Sequence, residues 1–279
     1  MRIIEPDPIL VDPILVHLIE GPRIYAAGSA LAATGSVLSD TSTGLGVQMT
    51  DGELKEIVDT AHGLGRKVAA HGTDGVNPAL RAGVDSIDHG TFLDKTSIKL
   101  FKMTNAYLVP TLMPGHFVPL SMEGNPLYTD AIRQKTTLAA EGSKKSFRMA
   151  QEAGIKIAFG TDTGVTPHGQ NAREFELMVA AGMSPADAIK AATITASELL
   201  GVSAKLGTIE QGKLADIVAV AGNPLQDVNA LMQVTTVILD GRLALHHYPE
   251  PVILAVSQEA HTECAELRRQ WPRGRPEVY

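Results

Sequence analysis

From residue 50 onward the chain switches repeatedly between two hydrophobic periods. Residues 51–66, DGELKEIVDTAHGLGR, put Leu54, Ile57, Val58, Ala61 and Leu64 on one helical stripe. Thr50 followed by Glu53 is the signature of a capping box, and Gly65 suits a C-terminal stop. The apolar run Val68 to Ala70, closed by His71, reads as a buried strand. NPALRAG predicts a short helix with proline in its first turn and Gly83 at its end. Ser86 to His89 is a second strand, residues 94–105 a helix, and residues 106–112, AYLVPTL, a third strand. Residues 128–153 carry a long helical pattern broken at Gly142, and residues 156–162, KIAFGTD, predict a fourth strand. Two further helices are expected at 171–182 and 184–201.

Four helix–strand pairs in succession imply an α/β fold with parallel strands and helical crossovers. The strands are short and nearly all apolar, as strands covered on both faces are. After Gly207 the pattern changes to short strands joined by turns, a small C-terminal β region. Residues 246–279 are rich in Pro, Arg and Glu and have no period beyond one modest helix around 253–269. The expected division is therefore 1–206, 207–245 as a small β portion, and 246–279 as a tail.

Composition narrows the function classes. Aromatics are only 4% of the 279 residues, so the core must be aliphatic. A formal net charge of -7 argues against nucleic acid or an anionic membrane as the main partner, since both need a basic face. The one cysteine, Cys264, excludes an intramolecular disulfide. The N-terminal stretch ILVDPILVHLI is interrupted by Asp12 and Pro13 and preceded by Glu5 and Asp7, so no signal peptide is read. No run approaches the ~20 apolar residues of a membrane span. A soluble, cytoplasmic protein is the expectation.

Three of the four strands end on a metal-ligand type: His71, His89 and Asp162. In parallel α/β folds the C-terminal strand ends carry the chemistry. Imidazole and carboxylate are ligands for Zn²⁺ and similar ions, and a catalytic metal needs three protein ligands with one position open for water. Such an ion lowers the pKa of its water and polarises a carbonyl. Asp162 could take the proton from that water. Single histidines at strand ends are commonly just polar residues meeting solvent; three ends in order favour the metal. His168 and His116 fall in predicted loops where they could line a pocket or simply be exposed. His62 sits near a helix C-terminus, where it favours the dipole. His246, His247 and His261 lie in or near the tail with nothing to pair with. The glycines of HGTDG and GTDTG lack an accompanying basic residue, which disfavours a phosphate-binding barrel.

The segments KVAAHG, ALRAGVDSIDHGTFLD, AFGTDTG, PHGQNAREFELMVAAGMSPADAIKAATITASELLG and LGTIEQGKLADIVAVAGNPLQDV together resemble the metal-dependent amidohydrolase superfamily, in its prolidase-like and imidazolonepropionase-like branch. The resemblance runs from about Ala33 to Arg242. It implies a distorted (β/α)₈ TIM-type barrel with a small β-sandwich. It implies that His71 and His89 are metal ligands at the ends of barrel strands five and six. Asp162 would be the metal ligand and proton shuttle at strand eight, and His168 would lie near the pocket. Asp216 would be structural. The implied activity is hydrolysis of amide or other C–N bonds in small molecules or dipeptides, with a divalent metal, zinc by preference.

The chain also departs from that pattern. The family pairs two ligands as His-x-His at strand one and, in this branch, uses a carboxylated lysine at strand four. The nine histidines contain no His-x-His, and no lysine precedes Lys55, although the pattern would place one near Ala30. A βαβ unit needs roughly 30 residues, so four such units do not fit before Thr50. The expectation is a partial, truncated barrel of strands five to eight, with impaired activity and exposed sheet edges that favour homo-oligomer formation. The alternative is a catalytically inactive fragment serving as a binding or oligomerisation partner.

Overall fold

A computed structural model of the chain describes residues 2–4, 27–30, 49–72 and 75–246. Helix α1 (Asp51–Gly63) begins where the capping box sets it. Thr50 Oγ1 accepts the Glu53 N–H, and the Glu53 carboxylate accepts the Thr50 N–H at 2.8 Å. The helix buries Leu54, Val58 and Ala61. Strand β3 (Val68–Gly72), helix α2 (Val76–Ala82), strand β4 (Ser86–His89), helix α3 (Lys95–Thr104) and strand β5 (Tyr107–Val109) follow in the predicted alternation. The three strands pair in parallel, β3 with β4 and β4 with β5. Val68, Ala70, Ile87 and Leu108 share one face by register and fill the core, while Ala69 and Ser86 on the other face are also buried, as a strand covered on both faces requires.

Two short strands precede this unit. β1 (Arg2–Ile4) and β2 (Ala27–Ala30) extend the sheet, whose order is β2-β1-β3-β4-β5. β1 runs antiparallel to β3, with Arg2 opposite Ala69 and Ile3 opposite Val68. The β3 edge, expected to stand unpaired, is thus covered. The apolar stretch 9–19, ILVDPILVHLI, which could cover part of such an edge, lies outside the described residues.

The structure differs from the sequence reading at three places that shape the site. First, the third strand stops at Val109, and Leu112–Met122 forms an unexpected helix, α4. His116 therefore lies on a helix rather than in a loop. Second, α5 (Asp130–Glu152) passes through Gly142 without a break. A Cβ there would sit 2.8 Å from the Thr91 carbonyl oxygen and 2.7 Å from the Phe92 ring, so this glycine is a packing contact inside the helix. Third, residues 156–162 form no strand. One parallel bridge joins Leu108 to Ile157, through Leu108 N–H to Lys156 O and Ala158 N–H to Leu108 O. The next donor, Phe159 N–H, leaves the sheet for Ala191 O.

That acceptor sits in a π-helical turn, Ala191–Thr195, between α7 (Pro185–Lys190) and α8 (Ala196–Leu200). Helix α6 (Arg173–Ala180) precedes them. The C-terminal β region is a three-stranded antiparallel sheet of β6 (Ile217–Val220), β7 (Val234–Leu239) and β8 (Arg242–His246). Asp240 and Gly241 have φ of 52° and 75°, as a tight two-residue hairpin turn demands. Asp216 Oδ1 accepts the Asp240 N–H at 2.8 Å, which suits a structural role for that aspartate. The helix expected at 253–269, with His247, His261 and Cys264, lies outside the described residues. Among the described residues no helix is long and apolar enough to cross a membrane.

Candidate functional site

The site is built at the ends of β3, β4 and β5. Parallel register places His71 opposite Asp88 and Gly72 opposite His89. In a regular pleat cross-strand partners share a face, so His71 and His89 would project to opposite sides of the sheet. They do not. His89 has φ 68°, which breaks the pleat at the last strand residue. The two rings meet edge to face, centroids 4.3 Å apart and planes at 67°. Gly72 allows the strands to close here: a Cβ on it would stand 2.4 Å from Ile87 Cγ2. The turn after His89 is fixed from two sides. Thr91 N–H donates to Gly72 O at 3.0 Å. Ser146 of α5 accepts the Leu93 N–H and donates to Thr91 O.

Left-handed backbone recurs just beyond β5 and at the end of the bridged segment 156–162. Thr111 has φ 44° and Asp162 φ 52°. Each such non-glycine residue costs on the order of 1–3 kcal/mol and persists only where its surroundings hold it. Thr111 opens α4 yet makes no side-chain cap. Its hydroxyl donates to Pro110 O at 2.8 Å and meets His89 Nδ1 at 2.5 Å. The cap comes instead from Glu174 on α6, whose two carboxylate oxygens accept Leu112 N–H at 2.8 Å and Met113 N–H at 2.9 Å. Glu174 is fully buried. Desolvation pushes its carboxyl up to about 7, against the pull of those two backbone donors.

Asp162 sits between two threonines that share a partner. The Thr161 and Thr163 hydroxyls lie 2.8 Å apart, and Asn171 Nδ2 donates to both, at 3.2 and 2.9 Å. Asp162 and His89 are half-buried and His71 is exposed, so each is reachable from solvent. His168 lies on the exposed turn beyond. His62, expected to serve the end of α1, has a specific partner: its Nε2 lies 2.9 Å from Asp85 Oδ2, which also accepts the Val68 N–H. A separate cleft of about 290 Å³, lined by Lys156, Asp187, Lys190 and Glu198 among others, contains none of the candidate ligands.

The structure therefore brings His71 and His89 together. As a donor set they suit a borderline divalent ion at two positions. Among the described residues no group of three His, Cys, Asp or Glu stands ready to hold a metal ion. Glu174, Thr111 and Asn171 were not singled out by sequence reasoning. The threonines flanking Asp162 in GTDTG were the one local signal available. The Glu174 contact spans more than sixty residues and has no local signature.

The sequence profile of the Amidohydrolase family matches residues 23–244. A crystal structure of a Xaa-Pro dipeptidase with bound methionine superposes with a TM-score of 0.79 at 36% identity, covering 85% of this chain and 71% of that one. Ochratoxinase of Aspergillus niger is 34% identical over 218 residues, 76% of this chain and 45% of its own length. Imidazolonepropionase of Symbiobacterium thermophilum is 29% identical over 172 residues, 60% of this chain and 36% of its own. The chain thus spans less than half the length of these two curated relatives.

Proposed function

The chain belongs to the amidohydrolase family, and from that membership we propose that its sheet end is a metal-dependent hydrolytic site for amide or other C–N bonds of small molecules or dipeptides. On this reading β3, β4, β5 and residues 156–162 correspond to strands five to eight of a (β/α)₈ barrel, and residues 207–245 are a portion of the accompanying β-sandwich. The observation that carries the proposal is the approach of the His71 and His89 rings to 4.3 Å at the ends of adjacent parallel strands. Two imidazoles gathered by a broken pleat at an open sheet end suit a zinc-like ion better than they suit packing. The dipeptide class is suggested by the Xaa-Pro dipeptidase likeness.

His71 and His89 would hold the ion; among the described residues no third His, Cys, Asp or Glu is grouped with them. A divalent ion supplies, when bound, a Lewis acid and a water of lowered pKa. Asp162, steadied through Thr161, Thr163 and Asn171, accepts a proton from the attacking water on its carboxylate and returns it to the leaving nitrogen. His168, on its exposed turn, contacts the substrate from the rim. The 279 residues contain no His-x-His, so few ligands share the ion. Weak metal retention and slow turnover follow for this chain.

The test is hydrolysis of a panel of dipeptides, Xaa-Pro included, by the purified chain with and without added Zn²⁺. Slow, zinc-dependent release of amino acid, abolished in Asp162→Asn and His71→Ala, is the expected result. Hydrolysis that ignores zinc or survives both substitutions refutes the site. Turnover near the ~10 s⁻¹ typical of enzymes refutes the impairment.

A further inference from the structure

We propose that Thr111 is a positioning residue that fixes the tautomer of His89, and that Glu174 holds Thr111 where it can do so. A threonine at a helix start ordinarily turns its oxygen onto the backbone N–H two or three residues on. Thr111 makes no such bond; its hydroxyl is engaged by Pro110 O and His89 Nδ1 instead. A threonine hydroxyl has one hydrogen, and here it points to Pro110 O at 2.8 Å. Toward His89 Nδ1, 2.5 Å away, the oxygen is left as an acceptor. The proton in that contact therefore belongs to Nδ1, and in the neutral ring the lone pair stands on Nε2. Thr111 is 7% exposed, so bulk water does not replace the contact cheaply.

The role of Glu174 follows from the backbone. A β-branched residue at φ 44° is disfavoured unless something imposes it. Both oxygens of Glu174 are spent on Leu112 N–H and Met113 N–H, the two donors directly after Thr111. They perform the capping that the Thr111 hydroxyl would otherwise perform, and so release that hydroxyl for the imidazole. The use made of the tautomer, presenting one defined nitrogen to a cation, rests on the reading of His89 as a ligand. The tautomer itself does not.

The experiment uses the full chain labelled with ¹⁵N-histidine, freed of metal with chelator and held at about pH 8, above the ordinary histidine pKa. Long-range ¹H–¹⁵N correlation spectra separate protonated from bare ring nitrogens, and His89→Gln identifies the His89 signals. Wild type should show Nδ1 protonated and Nε2 bare. Thr111→Val should move His89 toward the Nε2-protonated form, Thr111→Ser should keep the wild-type pattern, and Glu174→Gln should shift it partway. A wild-type His89 protonated on Nε2 overturns the proposal, as does a T111V chain that keeps the proton on Nδ1. Should T111V fail to fold, wild type and T111S decide: Nδ1–H in both supports it, and Nε2–H in either overturns it. Addition of Zn²⁺ then separates the two readings. A zinc response of Nε2 supports both, while an Nδ1–H ring indifferent to zinc keeps the positioning role and sinks the metal site.

Discussion

Glu174 makes the stability of this chain depend on pH in a direction opposite to that of most carboxylates. Its side chain is wholly buried, and its carboxyl is pushed up to about 7 from 4.5. Between those values the native state holds a proton that the unfolded state has lost. Stability is then fully present below about 4.5 and falls as pH rises through about 7. A shift of about 2.5 at roughly 1.4 kcal/mol per pH unit amounts to roughly 3.5 kcal/mol across that window. Glu174→Gln removes the titration while keeping the shape. Its single carbonyl oxygen can serve only one of the Leu112 and Met113 donors, and its amide faces the other, at a cost of about 1–3 kcal/mol. Urea unfolding of both chains by circular dichroism at pH 5, 6, 7 and 8 isolates the effect, because every other group titrates alike in the two. Wild type should exceed E174Q by the largest margin at pH 5, with that margin shrinking by about 2–3 kcal/mol by pH 8. A margin that is constant, or that grows with pH, refutes the assignment of a buried, proton-holding Glu174.

Gly142→Ala should destabilise the chain although it sits mid-helix. The propensity gain of about 1 kcal/mol is outweighed by overpacking against Thr91 O and Phe92, about 1–3 kcal/mol; a raised urea midpoint contradicts this. Thr166→Val should stabilise by about 1 kcal/mol, because Thr166 is 3% exposed and its hydroxyl has no partner among the described residues; thermal melts check it, and a loss contradicts it. Asn171→Ala removes the donor that Thr161 and Thr163 share beside Asp162. It should slow zinc-dependent dipeptide hydrolysis about tenfold with little change in melting temperature, and an unchanged rate contradicts it.

The sequence was informative where local rules and tertiary structure agree. The capping box at Thr50 and Glu53 started α1 where expected, and the apolar runs ending in His71 and His89 became adjacent parallel strands. It failed where a distant group decides. Residues 112–122 carry Pro114, Gly115 and Pro119, which argue against a helix, yet α4 forms because Glu174 caps it from another helix. Residues 156–162 have the apolar content of a strand, but Phe159 gives its N–H to the π turn at Ala191 and the ladder stops at one bridge. Gly142 reads as a break until Thr91 and Phe92 are seen packed against it. In the site, residue types at strand ends were legible, while the backbone twist at His89 that lets the two rings meet was not.

The central claim is that His71 and His89 bind the same ion. Zinc K-edge X-ray absorption on the chain loaded with one equivalent of Zn²⁺ reads the number of imidazoles around it. Two imidazoles in wild type, falling to one in His71→Ala and in His89→Ala, is the expected result. A spectrum unchanged in the double variant, with zinc still retained, would contradict it.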